Sequence, residues 1–528
     1  MRPLPSQPSA PLAAGLLSAA LLTACGGGST DIATSSSGTR LAQGAPVQGA
    51  AATNTANNAT TSAATSLLAL AANPLQPVGN EAGSALTISS RGSIDSSNPF
   101  FQPMGNGRSC ASCHQPDNGW SIGPDKLAAR FDSSAGLDPV FRSVDGAVSP
   151  QAPTATLEQK RLAYALLLGK GLIRVGLALP SAAEFTLSRV DDPYHYASAS
   201  ELSLFRRPLP TTNLTFLSSV MWDSRETASA NTGANCVRNT RPALCFASIT
   251  SSLLHQANDA VRGHAEAAQD LSAAQQRAIV DFEQTLYTAQ INSSTAGSLT
   301  AAGALGGPLA LSQTAYYFGI NDIDAGDYQT GAPFKRDVIT LFGAWRNLDR
   351  PPAPAPAQRG RPPAPPSATD VARAAIARGE QIFNNKGFNI SGVAGFNDEL
   401  RRPLARGSCT SCHDAPGIGS QSVARMFNTG VSAASRRSAD LPLYTLRNST
   451  TGETISVSDP GAAMLSGKWK DIGRFKVPSL RGLESRSPYF HDGSAASIEQ
   501  LVQFYDTRFN IGYTVQEAAD LAAFLKAL

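Results

Sequence analysis

The stretch that decides the fold occurs twice, as Cys110-Ala111-Ser112-Cys113-His114 and as Cys409-Thr410-Ser411-Cys412-His413. In a Cys-x-x-Cys-His pentapeptide, two thiols can form thioethers with the vinyl groups of a haem, and the adjacent imidazole can bind its iron as the proximal ligand. A thioredoxin-like pair or half of a zinc site would use the same cysteines. With seven Cys and six His in 528 residues, one such pentapeptide arises by chance in about one chain in a thousand, and two far less often. The sequence therefore predicts two covalently bound c-type haems, with His114 and His413 as iron ligands.

The composition limits what else the chain can be. Its 528 residues are 42% hydrophobic with a mean hydropathy of −0.13, which suits about two to four globular domains and excludes both a disordered protein and a multispan membrane protein. The 43 basic and 40 acidic residues leave a net charge of +3. A nearly balanced charge provides no basic surface to bind a phosphate backbone, so no nucleic-acid partner is expected.

The first 25 residues predict export and lipid attachment. One charge at Arg2 precedes an apolar stretch of Ala and Leu, and the segment ends in Leu22-Thr23-Ala24-Cys25. This ending resembles a bacterial lipobox, whose cysteine becomes the lipidated first residue; an ordinary cleaved signal with a chance cysteine is the alternative. Residues 26–73 are rich in Gly, Ser, Thr, Ala and Asn, which predicts a disordered tether. We expect a lipid-anchored protein on the periplasmic side of a bacterial membrane.

A proline-rich segment predicts two domains. Residues 350–367 contain eight prolines, which favours an extended linker between a first haem domain at 74–349 and a second at 368–528. Helical patterns dominate both halves, since capping-box pairs precede apolar residues spaced three or four apart. These pairs are Ser272 with Gln275, opening a helix over 271–290, Ser497 with Gln500, and Thr514 with Glu517. The predicted fold is mainly α: two cytochrome c-type haem domains with long loops and an enlarged first domain.

Further motifs in both halves resemble one family. They are Phe475–Leu483, Ser487–Gly493, the Phe524-Leu525 helix end, Arg206–Pro210 and Met221–Arg225. Together they resemble the bacterial di-haem cytochrome c peroxidase superfamily, which also contains the di-haem oxidase that matures tryptophan-derived quinone cofactors and the rubber oxygenases. The two pentapeptides are 299 residues apart, farther than in compact family members, so the first domain carries large additions.

The resemblance implies an activity and partners. A family peroxidase reduces hydrogen peroxide to water with electrons from a small periplasmic cytochrome c or a copper protein. Peroxide would react at the first haem, electrons would arrive through the second, and Trp120 or Trp222 would bridge the two. An oxidase or dioxygenase acting on a protein or organic substrate, and a non-enzymatic di-haem electron carrier, are the alternatives. Family members also bind calcium between the domains, but no side-chain ligand for it was matched in this sequence, so calcium stays an open alternative.

For the sixth ligand of the second haem, the resemblance points to Tyr505. Family peroxidases have a methionine at this position and the quinone-maturing oxidase has a tyrosine. Met426 and Met464 are the rival ligands, and a core tyrosine is the alternative role for Tyr505. By resemblance, His491 is expected to support a haem propionate or the domain interface.

The predicted catalytic residues at the first haem are His255, Arg225 and Glu226. His255 precedes Gln256-Ala257 where the family has a glutamate before a Gln-Ala pair, so a proton carrier is kept. If 252–266 is one helix, His255 and His264 project on opposite faces and only one can face the haem. Arg225 would stabilise charge on the departing oxygen, or else form a salt bridge with Asp223 or Glu226. His195 is a further candidate ligand or a loop histidine.

Two cysteines remain outside the leader and the pentapeptides. Cys236 and Cys245 are close in sequence and are predicted to form a disulfide in an oxidising compartment. Two buried free thiols are the alternative.

Overall fold

A computed structural model describes residues 76–227, 248–350 and 364–528. The predicted signal peptide, the tether, the Cys236–Cys245 disulfide and most of the proline-rich linker lie outside the described residues. The described residues all belong to one compact unit that spans 59–528. Within them, no helix has the length and apolar character needed to cross a bilayer.

Ten α-helices lie in the described residues. They are α1 (Pro124–Ser134), α2 (Leu157–Ala163), α3 (Ala165–Lys170), α4 (Ser248–Gly263), α5 (Ala273–Glu283), α6 (Gly307–Ser312), α7 (Ala368–Asn385), α8 (Ala463–Ser466), α9 (Ile498–Phe509) and α10 (Val515–Lys526). The predicted N-caps of α5, α9 and α10 are confirmed, because Ser272, Ser497 and Thr514 each accept a hydrogen bond from the backbone N–H three residues later.

Thirteen strands form five sheets in the same residues. The strands are β1 (Val78–Asn80), β2 (Gly83–Ser89), β3 (Ile173–Leu177), β4 (Phe185–Asp191), β5 (Leu202–Arg206), β6 (Leu286–Ser293), β7 (Gly297–Ser298), β8 (Phe388–Ser391), β9 (Leu404–Gly407), β10 (Met426–Phe427), β11 (Leu443–Asn448), β12 (Thr454–Val457) and β13 (Phe475–Lys476). The sheet orders are β1-β2-β6-β7, β12-β11-β4, β3-β5, β8-β9 and β10-β13. Every pairing is antiparallel.

The prediction of a mainly α fold is wrong, because the protein is mixed α and β, with 31% helix and 18% strand. The strands are short and carry little alternation of polar and apolar residues, so they resemble loops in the sequence. One predicted helix shows the error directly. Its start at Ser272 is correct, but α5 ends at Glu283 and Leu286 begins β6, which pairs with β2.

The second half of the chain is built around packed helices. The predicted apolar stripe of α10 is confirmed, since Leu521, Phe524, Leu525 and the terminal Leu528 are all buried. Helix α7 crosses α10 at Gly379, where a Cβ atom would lie 2.0 Å from the backbone oxygen of Asp520. Only glycine allows so close an approach.

The two halves of the chain are joined by shared elements. Strand β4 of the first half pairs with β11 of the second, with Val190 opposite Tyr444. Arg206 on β5 makes a buried bidentate salt bridge with Asp459, at 2.7 and 2.9 Å, and also binds Asp223 at 2.6 Å. These contacts fix the motifs of the first half against the second.

Candidate haem centres

Both pentapeptides adopt the same local structure. Each is a short 3-10 turn, Cys110–Ser112 and Cys409–Ser411, and each follows a serine that closes a capping box. The histidine ring then bonds to a backbone oxygen six residues on. His114 Nδ1 lies 3.0 Å from the oxygen of Trp120, and His413 Nδ1 lies 2.5 Å from the oxygen of Gly419.

These hydrogen bonds prepare the rings for iron. A backbone oxygen only accepts, so Nδ1–H donates and Nε2 keeps its lone pair, which is the arrangement of a metal-bound histidine with an oriented ring. Burial lowers the pKa of both His114 and His413 to about 4. Both imidazoles are therefore neutral at physiological pH and available as ligands.

The four pentapeptide cysteines are free thiols. Burial raises the pKa of Cys113 and of Cys409 to about 11, and it raises the pKa of Cys110 and of Cys412 further. A thioredoxin-like pair instead depends on a thiol whose pKa is lowered. Protonated thiols beside a neutral histidine fit the attachment of a haem through two thioethers.

A cavity opens directly beside the second pentapeptide. It holds about 1560 Å³ of empty space, including its open mouth, and its lining includes Cys409, Cys412 and His413. Residues of the first half, among them Arg207 and Trp222, form part of its wall. The cavity is therefore a product of both halves of the chain.

Tyr505 on α9 lines this cavity, whereas the rival ligands Met426 and Met464 do not. The tyrosine ring stacks on Phe509 with centroids 6.2 Å apart. Burial raises the pKa of Tyr505, and its hydroxyl is hydrogen-bonded to Thr429. The side chain thus shares a cavity with the proximal His413, as a sixth ligand would.

The two candidate tryptophans occupy different places. Trp222 lines the cavity, donates from Nε1 to the oxygen of Arg207 at 2.7 Å and meets the ring of His491 edge-on at 6.4 Å. Trp120 is fully buried, donates to Thr87 at 2.9 Å and holds His114 through its backbone oxygen. His491 accepts a hydrogen bond from the Arg207 backbone, which places it at the contact between the halves.

A buried ion pair supports the first pentapeptide. Arg108 lies 2.7 Å from Asp145, whose second oxygen lies 2.6 Å from His264 Nδ1. Burial alone would raise the pKa of Asp145, but the His264 hydrogen bond and the Arg108 charge lower it. His264 also acts on the pKa of His114, which it lowers. Helix α4 ends at Gly263, so the helix expected over 252–266 is shorter at its end and His264 lies just past it. Of the two histidines, His264 is the one that acts on the pKa of His114.

The predicted catalytic residues meet in part. His255 Nδ1 lies 2.7 Å from buried Glu226, and this hydrogen bond raises the pKa of His255. The His255 side chain is 63% exposed. Arg225 forms a salt bridge with Asp223 at 3.1 Å, which is one of the two roles that the sequence left open for it. His195 lies on an exposed loop with φ of 54°.

One acidic residue escaped the sequence analysis. Glu283 at the end of α5 is 4% exposed and close enough to Cys110 to raise the pKa of that thiol when ionised, and burial raises the pKa of Glu283 to about 8. The signal was present, since Glu283 follows Ile279 by four residues and so falls on the apolar face of the helix. A carboxyl group at that position is neutral at physiological pH and lies near the first haem attachment site.

No family model matches the chain. Cytochrome-c peroxidase IdrP1 of Denitromonas iodatirespirans is 30% identical over 142 residues, which cover 23% of this chain and 37% of the relative. Cytochrome c551 peroxidase of Nitrosomonas europaea is 33% identical over 127 residues, covering 24% and 32%. The chain thus spans about a third of the length of these relatives. A solved MauG-like protein associated with microbial copper homeostasis aligns over 81% of this chain and 87% of its own, with 14% identity and a TM-score of 0.31.

Proposed function

We propose that this chain, a member of the bacterial di-haem cytochrome c peroxidase superfamily, is a c-type di-haem oxidoreductase that reduces hydrogen peroxide to water. Small periplasmic cytochromes or copper proteins would supply the electrons. One observation carries the proposal: the turn, the capping serine and the Nδ1 hydrogen bond of the proximal histidine occur twice with the same geometry. The curated relatives named cytochrome c peroxidases support the choice of peroxide.

The residues present fit two covalent haems. Cys110, Cys113 and His114 would hold the first, and the corresponding residues of the second pentapeptide, with Tyr505 opposite His413, would hold the other. When bound, a haem supplies an iron that exchanges single electrons and, where one axial position is open, activates peroxide. A phenolate is a harder donor than a thioether, so Tyr505 would stabilise the oxidised state of the second haem.

The first half would manage protons. Reduction of peroxide consumes two electrons and two protons and releases two waters. Glu226 fixes the His255 ring through Nδ1, which leaves Nε2 free to take a proton from one peroxide oxygen and return it to the other. Arg225 is held by Asp223 at 3.1 Å, next to Glu226 in the sequence, and would stabilise negative charge on the departing oxygen.

The contact between the halves would carry electrons. Trp222 belongs to the first half and forms part of the wall of the cavity beside the second pentapeptide. Its Nε1 hydrogen bond fixes the ring there. An ordered indole at this position suits single-electron passage from the second centre to the first. Between the two candidates of the sequence analysis, this position favours Trp222.

Tyr505 also favours a second candidate function. Tyr505 lines the cavity, and neither Met426 nor Met464 does. With Tyr505 as the sixth ligand of the second haem, the resemblance to the quinone-maturing di-haem oxidase would extend to this ligand. An oxidase acting on a protein or organic substrate would use the same two centres.

Export and lipid attachment complete the proposal. The Leu22-Thr23-Ala24-Cys25 ending would place the protein on the periplasmic side of a membrane, where c-type haems are attached and small electron carriers diffuse.

Steady-state peroxide consumption tests the proton carrier. His255→Ala should slow it roughly 10²–10⁴-fold, the usual contribution of general acid–base catalysis, with both haems still attached. His195→Ala, which changes an exposed loop histidine, should react at the wild-type rate and is the matched control. If His264→Ala is slow while His255→Ala is not, His264 is the proton carrier and the assignment fails. A wild-type protein that itself consumes no peroxide would favour the electron carrier instead.

A further inference from the structure

Three cations line the cavity beside the second pentapeptide, which is called the second cavity below. None of them has a carboxylate partner among the described residues. Arg207 and Lys476 are 4% and 6% exposed, and Arg486 is partly buried. Their hydrogen bonds within the described residues run only to backbone oxygens. Arg207 donates to Lys170, Ile122 and Arg486, Lys476 donates to Ser219, and Arg486 donates to Ser479, Arg481 and Gly482.

Buried cations of this kind are costly unless an anion compensates them. Donor capacity also remains, because Arg207 Nε, Arg486 Nη1 and two hydrogens of the Lys476 ammonium have no partner among the described residues. Two buried carboxylates of the second half are engaged elsewhere. Asp459 binds Arg206, and Asp492 accepts from the Ser494 backbone. No carboxylate acts on the pKa of the three cations, and desolvation lowers that of Lys476 to about 7.

The first centre is built differently. Its buried cation Arg108 is neutralised by Asp145, and Arg130 nearby is paired with Asp138. Arg108 and Arg130 at the first centre therefore each have a carboxylate partner, whereas the three cations of the second cavity have none among the described residues.

We propose that Arg207, Lys476 and Arg486 form the binding site for the two propionate carboxylates of the second haem. Two anions entering the cavity would give the three cations charge-assisted hydrogen bonds, which are about twice as strong as neutral ones. Arg207 comes from the first half and the other two from the second, so the carboxylates would also join the halves beside Trp222. The inference rests on the proposed haem at Cys409–His413.

The experiment tests the proposed haem and the proposed propionate site separately. Counting covalent haems in the wild-type protein tests the proposed cofactor before any variant is made. Potentiometric titration of Lys476→Gln and Arg486→Gln then tests the cation site, with the second haem identified as the component that responds to His413→Met. Removing a cation beside a haem disfavours the more negative, reduced state. Each variant should therefore make reduction of the second haem about tenfold less favourable, or about 59 mV for one electron.

Two controls keep the result specific. Lys476→Arg keeps the charge and should stay near the wild-type potential. Arg481→Gln alters a guanidinium that is equally buried and donates only to the backbone oxygens of Gly417 and Gly307, but does not line the cavity. It should leave the second-haem potential unchanged. Resonance Raman bending modes of the propionates should shift in Lys476→Gln and Arg486→Gln but not in Arg481→Gln. The two glutamine variants give independent readings if one fails to fold. Wild-type potentials in both, or an equal shift in Arg481→Gln, would overturn the inference.

Discussion

Replacing Arg206 with Met should destabilise the protein by about 3–5 kcal/mol, because it removes the cation that binds both Asp459 and Asp223. All three side chains are at most 3% exposed, so neither carboxylate can be hydrated without opening the contact between the halves. Asp223 keeps Arg225 at 3.1 Å, and Asp459 keeps the Gly461 backbone N–H at 2.7 Å and His491 at 4.0 Å. The loss should thus fall at the lower end of the range.

The assay is the apparent free energy of unfolding of the haem-loaded protein in urea at pH 7. Arg91→Met is the matched control, since Arg91 and Asp281 are exposed and 3.9 Å apart, and it should cost less than about 1 kcal/mol. The pH dependence has a definite sign. Burial alone would raise the pKa of Asp223, but Arg206 and Arg225 lower it to about 2. The stabilisation is therefore present above the ordinary Asp pKa of about 3.8 and is lost as the pH falls toward 2. An Arg206→Met cost no larger than that of Arg91→Met would refute the reasoning.

Three further predictions test other parts of the account. Tyr505→Phe should turn the second haem from low-spin to high-spin in the oxidised absorption spectrum, with the first haem little changed; an unchanged spectrum would exclude Tyr505 as a ligand. Cys25→Ser should abolish the incorporation of labelled fatty acid. If the wild-type protein incorporates none either, the prediction of a lipid anchor is wrong. Glu283, whose pKa burial raises to about 8, binds a proton in the folded state that it loses above an ordinary pKa of about 4.5 when unfolded. Unfolding in urea should thus show wild-type stability falling between pH 5 and 8 relative to Glu283→Gln, by on the order of 2 kcal/mol, and parallel curves would mean that Glu283 is not buried as an acid.

Local features with a strong sequence signal were predicted well. The N-caps at Ser272, Ser497 and Thr514 act within one helical turn. The stripe of α10 depends only on the helical period. In each case the physical cause lies within a few residues of the feature, so the feature can be predicted from the sequence alone.

Features that depend on tertiary contacts were missed. The change from α5 to β6 between Glu283 and Leu286 is decided by pairing with β2, about two hundred residues earlier in the chain. The cluster of Arg207, Lys476 and Arg486 is assembled from both halves, and each of these residues alone resembles a surface cation. The partner of Arg225 was left open because Asp223 and Glu226 both lie within two residues of it in the sequence.

Anaerobic titration of the fully reduced protein with hydrogen peroxide tests the central claim most directly. Two haems each give one electron and peroxide takes two, so one equivalent of peroxide should oxidise both haems, as followed by their absorption bands. A protein whose two haems stay reduced with excess peroxide, or one that binds a single haem, would contradict the account.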